Sequence, residues 1–137
     1  VGCISYLGPF NQEFRHDLTR NWNRFAQLQG IPVDADFSLV RTLSDPLVVR
    51  KWNIMGLPKD NHSIENGIFV SRGRRWPLMI DPQEQANKWI RNQHKNRIEV
   101  SRFANKDLLR LLENCVRNGL PLLIEDVGED FASLLRL

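Results

Sequence analysis

Cysteine is scarce in this 137-residue chain. There are two, Cys3 and Cys115, far apart and in no metal-ligand spacing. That excludes a disulfide framework and most zinc modules, and fits a reducing cytosol. No apolar run approaches the roughly 18–20 residues that a membrane span needs. There is no basic region, apolar stretch and small-residue cleavage site of a secretion signal. The three histidines, His16, His62 and His94, stand alone, so neither a metal cluster nor a Ser/His/Asp arrangement can be argued from them. Excess charge is also small, at +3. Such a balance allows an anionic partner without demanding nucleic acid. Internal repeats and low-complexity tracts are missing too.

What is present is ordinary for a globular chain: 42% hydrophobic and 26% charged residues. A chain this long buries roughly two-thirds of its unfolded surface, enough for one core. Val1 already reads as part of an ordered element, and Leu134-Leu135-Arg136-Leu137 stops mid-pattern. The expectation is a piece of a longer chain.

Phe10 to Leu28 has helical periodicity. Phe10, Phe14, Leu18, Trp22 and Phe25 recur at spacings of three and four and are expected to line one core-facing stripe. Pro9 suits the first turn, and Gly30 with Pro32 forms a stop. Asp34 to Leu43 is mixed. A second helix is expected from Pro46 to Asn53, capped by Ser44 or Asp45. Gly56 to Ser63 reads as a loop, Ile64 to Ser71 as a strand or short helix, and Arg72 to Arg75 as a solvated turn.

From there the pattern alternates. Trp76 to Ile80 fits a buried strand. Pro82 to His94 fits a helix with Asp81 as N-cap. Arg97 to Phe103 fits a strand, phased by Ile98 and Val100. Asn105 to Asn118 fits a helix, capped by Asn105 and ended by Gly119, with Leu108, Leu111, Leu112, Cys115 and Val116 as its apolar stripe. Leu120 to Ile124 fits a strand that runs into Glu125 and Asp126. Strand, helix, strand, helix, strand argues for an α/β fold with a three-stranded parallel sheet and crossover helices.

In such sheets ligands bind beyond the carboxyl ends of the strands. A turn entering a helix after Ile80, with two acids after Ile124, is the layout of a phosphate-loop nucleotidase. The turn's amides would cradle phosphate, and the acids would hold magnesium and activate water. The signature G-x-x-x-x-G-K-[ST] tests this. Laid on Asp81, Pro82, Gln83, Glu84, Gln85, Ala86, Asn87 and Lys88, it fails at every fixed position. Asp81 and Ala86 replace the glycines, Asn87 the lysine and Lys88 the hydroxyl. Asp81 would also place an internal anion where a phosphate should sit. The second motif, Glu125-Asp126, reverses the usual acid order. Arg72, Arg74 and Arg75, and further on Arg91, His94, Lys95 and Arg97, are basic but lack an aromatic stacking platform. A solvated or subunit-facing surface is the simpler reading.

Several runs together resemble one family. They are Ile4-Ser5-Tyr6-Leu7-Gly8-Pro9-Phe10, Trp52 to Asp60, Ser63 to Gly67, Arg75-Trp76-Pro77-Leu78-Met79-Ile80-Asp81-Pro82-Gln83, Gln85 to Ile90, and Ile124 to Glu129. In order, over essentially the whole chain, they look like the dynein heavy chain family, and specifically the fifth AAA+ module of its motor ring. The pattern looks more axonemal than cytoplasmic.

The resemblance implies a partial P-loop AAA+ large domain over 31–137, preceded by a helical segment over 1–30 that follows the stalk. The remaining strands, sensor, arginine finger and lid would lie downstream. It implies an ATP-driven, minus-end-directed microtubule motor as the parent, with ATP and magnesium used in other modules. This module would serve as a relay without a cofactor or catalytic residues of its own. The implied partners are neighbouring AAA+ modules. Microtubules and intermediate or light chains would be met through other parts of the parent, with no nucleic acid and no membrane. The implied place is the cytoskeleton of the cytoplasm, in a ciliary or flagellar axoneme. Two positions depart from the family: Glu84, where glycine is common, and Asp126, where an amide is common. Glu84 adds negative charge to the loop, and Asp126 restores acidity to the second motif. The rival expectations are a regulatory nucleotide site, using Glu125, Asp126 and the Leu57 to Glu65 loop, and an anion- or filament-binding surface on Arg72, Arg74 and Arg75.

Overall fold

The computed structural model describes residues 1–129. They form two compact units, Val1–Trp89 and the part from Ile90 onward.

The first unit is helical. α1 (Gly2–Tyr6) is one short turn. α2 (Gln12–Leu28) starts later than Pro9, because Asn11 caps it: its side chain accepts from the Phe14 amide at 2.9 Å. α3 (Leu39–Leu43) is capped by Ser38. α4 (Pro46–Ile54) is capped by Asp45, with Pro46 in its first turn. α5 (Asn61–Arg72) takes in the ambiguous apolar stretch and the last residues of the expected loop. Asp60 makes this possible. Its carboxylate accepts from both the amide and the hydroxyl of Ser63, at 2.9 and 2.7 Å. Those bonds outweigh burial and hold its pKa below the usual carboxylate value. The core gathers Leu7, Leu39, Trp52, Leu57, Ile64, Ile68 and Trp89, with the rings of Trp52 and Trp89 edge-on at 5.8 Å. α5 packs on both α1 and α3.

Two expectations fail here. The expected stripe of α2 faces this core only in part: Leu18 and Trp22 are half-buried, but Phe14 is 58% and Phe25 65% exposed. The inward face is rotated toward Arg15, so that Arg15 is buried and Thr19 and Ala26 are half-buried beside Leu18 and Trp22 of the stripe. Arg15 wins that place because the chain offers its guanidinium a full set of acceptors, described below. Secondly, Trp76 to Ile80 is no strand and is not buried. Trp76 is 73% and Ile80 92% exposed. A strand exists only where a neighbour completes its ladder. The two strands described pair with one another, and neither pairs with this run.

α6 (Gln85–His94) runs across the division between the units. It begins at Gln85, three residues later than expected, because 82–84 form a turn. The second unit continues with a 3-10 turn (Lys95–Arg97), β1 (Glu99–Arg102), α7 (Leu108–Asn118) and β2 (Leu122–Glu125). The strands are parallel, as the alternation requires, with Glu99 opposite Leu122 and Arg102 opposite Glu125. Among the described residues the sheet therefore has two strands where the pattern called for three. α7 packs on β1 and buries Leu108 and Cys115. Val116, assigned to the same stripe, is exposed. Asn105 lies ahead of the helix, where its side chain accepts from the Asp107 amide at 3.0 Å. Gly119 ends α7 in the left-handed region at φ +62°, a conformation that costs an L side chain energy. The run Leu134 to Leu137 lies outside the described residues.

Candidate functional site

The phosphate-loop position is built from the turn that opens α6. A helix start leaves amides without intrahelical acceptors, and these are what a phosphate uses. Here Asp81 takes them. Its Oδ1 accepts from the Gln85 amide at 2.9 Å and its Oδ2 from the Asn87 amide at 2.8 Å. Its carbonyl accepts from the Glu84 amide at 3.2 Å. Glu84 stands at φ +56°, the region that favours glycine. Pro82, Gln83, Gln85 and Lys88 are exposed, and Ala86 and Asn87 half-buried. Gln85 donates its side-chain amide to Gln83 at 3.0 Å. A phosphate placed here would meet a carboxylate already holding two of the amides it needs. Lys88 stands where the signature wants a hydroxyl. These donors do not fit a nucleotide's phosphates.

The acidic pair lies in the second unit. Glu125 ends β2 and is ion-paired with Arg91 of α6. Asp126 follows at φ +55°, its Oδ2 lying 3.4 Å from Nε of Arg102. Both acids therefore face guanidinium groups. Among the described residues no group of three or more His, Cys, Asp or Glu side chains could hold a metal ion. Beside β1 lies an open depression of about 450 Å³ lined by Val100, Ser101, Arg102, Ala104 and Asn105. Ser101 is buried there and accepts from the Asn105 side chain at 3.0 Å.

Of the rival surface, Arg72 donates to the Leu43 carbonyl at 3.1 Å, while Arg74 and Arg75 are exposed in the turn after α5. The Leu57 to Glu65 stretch of the rival nucleotide site has Leu57 in the core and Glu65 inside α5. Burial raises the thiol pKa of both Cys3 and Cys115, so neither is an activated nucleophile.

The largest polar feature is one that sequence reasoning missed. Arg15 is only 3% exposed. Its Nε donates to the Leu7 carbonyl at 3.0 Å, and one terminal nitrogen donates to the Gly8 carbonyl at 3.0 Å and to the Asn66 side chain at 2.5 Å. The other terminal nitrogen meets Glu65 at 3.2 Å. The guanidinium also lies over the Phe69 ring, 4.9 Å from its centre. One planar fork thus ties the segment after α1 and helices α2 and α5 together. Nearby, Nδ1 of His62 is buried without a hydrogen-bond partner among the described residues. Burial first, then the charge of Arg15, lowers its pKa.

Comparison with known proteins gives this arrangement a family. Residues 50–136 match the family described as the ATP-binding dynein motor region. The chain belongs to that family. It is 48% identical over 130 residues to human dynein axonemal heavy chain 6, covering 94% of this chain. It is 45% identical over 135 residues to mouse dynein axonemal heavy chain 3, covering 98% of this chain. It is 43% identical over 135 residues to the dynein-1-beta heavy chain of the Chlamydomonas reinhardtii flagellar inner arm I1 complex, covering 96% of this chain. The chain spans about 3% of the length of each of these relatives.

Proposed function

We propose that the chain is part of a relay module in the AAA+ ring of an axonemal dynein heavy chain, the fifth module, and that this module does not hydrolyse ATP. The observation that carries this reading is the Asp81 carboxylate on the Gln85 and Asn87 amides, where a phosphate would dock. The guanidinium partners of Glu125 and Asp126 support it.

In this reading residues 1–30 form the segment that follows the stalk. Residues 31–137 form the first part of a P-loop large domain whose further strands and lid lie downstream. The exposed run Trp76–Ile80 becomes a strand when those downstream strands supply its ladder. The module takes no cofactor. ATP and magnesium act in other modules of the parent, which moves along microtubules in a cilium or flagellum. The exposed Phe14 face of α2, with Phe10 just ahead of the helix stacked on Phe14 at 5.9 Å, docks on a neighbouring module. Intermediate and light chains bind elsewhere on the parent.

The test is calorimetric titration of magnesium-ATP into the module extended downstream through its lid. The reading expects no saturable heat. Saturable binding would make the module a regulatory nucleotide site. Exposed Arg74 and Arg75 favour a second reading, an anion- or filament-binding surface. It requires filament binding that falls steeply with salt and is lost on changing both arginines.

A further inference from the structure

Glu125 and Asp126 concentrate two negative charges at the carboxyl end of β2. In a working nucleotidase a divalent cation balances such charge. Here Arg91 is paired with Glu125, and Arg102 lies 3.4 Å from Asp126. The strand register also sets Arg102 opposite Glu125. Two guanidinium groups carry the same total charge as one magnesium ion.

We propose that Arg91 and Arg102 are built-in counter-cations that stand in for the divalent ion, so that this strand end is neutral without metal. Arg91 is the principal one. Its partner Glu125 keeps 23% of its side-chain exposure, whereas Arg102 and Asp126 keep 75% and 73%. Water screens the outer pair far more than the inner one. Arginine suits the task because its charge is permanent and its planar fork holds a carboxylate in one orientation. A lone cation on a flexible stem would balance the charge without fixing the geometry. The consequence is a strand end whose charge does not change with nucleotide or magnesium. This inference rests on the reading of the module as non-hydrolysing, but the two fail separately.

The test is hydrogen exchange of the Leu122 to Val127 amides in the motor region of the parent heavy chain, with and without millimolar magnesium at constant nucleotide. The native protein should exchange identically in both. Arg91→Ala should speed exchange about threefold, the size expected for a partly exposed pair. Magnesium should then restore the native rate. Arg91→Ala with Glu125→Gln should stay fast in either condition. Should the alanine variant unfold the unit, Arg91→Gln and Arg91→Lys decide: the first should respond to magnesium, the second should not. Magnesium protection of the native strand end, or no restoration in any charge-removing variant, overturns the proposal. Hydrolysis of ATP by the native module would instead overturn the non-hydrolysing reading.

Discussion

Arg15 is the side chain on which the first unit depends most. Its guanidinium satisfies two carbonyls, an amide oxygen and a carboxylate while almost fully buried. Removing it strands Glu65 and leaves the Leu7 and Gly8 carbonyls without this donor. Arg15→Ala should cost about 3 kcal/mol, the lower end for breaking a buried pair because Glu65 keeps some contact with water. Arg15→Lys should recover little, since an ammonium cannot reach all four acceptors. Chemical denaturation of the chain checks both. His62 adds a dependence on pH. Its folded pKa lies below the ordinary 6.5, so the unfolded chain binds the proton more readily. Stability from this group is therefore present above pH 6.5 and lost as pH falls below it. His62→Gln should flatten the unfolding profile in that window. None of this was legible in the sequence. A lone arginine beside an aromatic stripe reads as a solvated charge. Its acceptors are carbonyls from the preceding segment and two side chains some fifty residues away, and no spacing rule connects them.

The elements were read better where local chemistry sets them. Asp45 with Pro46 starts α4, and Gly119 ends α7, because caps and left-handed turns act within a few residues. The sequence marks Asp81 as the cap of the following helix. The helix begins later than expected, yet the carboxylate still reaches its first amides. Asp81→Ala should therefore cost about 1 kcal/mol through loss of the cap. Gly119→Ala has open space around the new methyl but the wrong φ, and should cost about 1 kcal/mol. Thermal or denaturant unfolding of each variant measures these losses. Reading failed where an element depends on distant neighbours. Trp76 to Ile80 has the composition of a strand but no partner among the described residues. The stripe of α2 has the period of a core face, but periodicity cannot say how far the helix is rotated, and only Leu18 and Trp22 of the stripe are half-buried. That rotation is set by the Arg15 network.

At the scale of the whole molecule, the parallel pairing of β1 and β2 across α7 follows the expected alternation. The family follows from the match over residues 50–136. The chain is about 3% of its relatives' length, and Phe14, Phe25, Trp76 and Ile80 stand exposed on it. At the phosphate-loop position the protein's own Asp81 carboxylate already holds the Gln85 and Asn87 amides. The most direct measurement is hydrogen exchange at the Gln85 and Asn87 amides in the intact motor region, with and without saturating magnesium-ATP. Exchange at both amides should be unchanged, because Asp81 holds them in either condition. Protection that appears only with nucleotide would mean that phosphate displaces the Asp81 carboxylate.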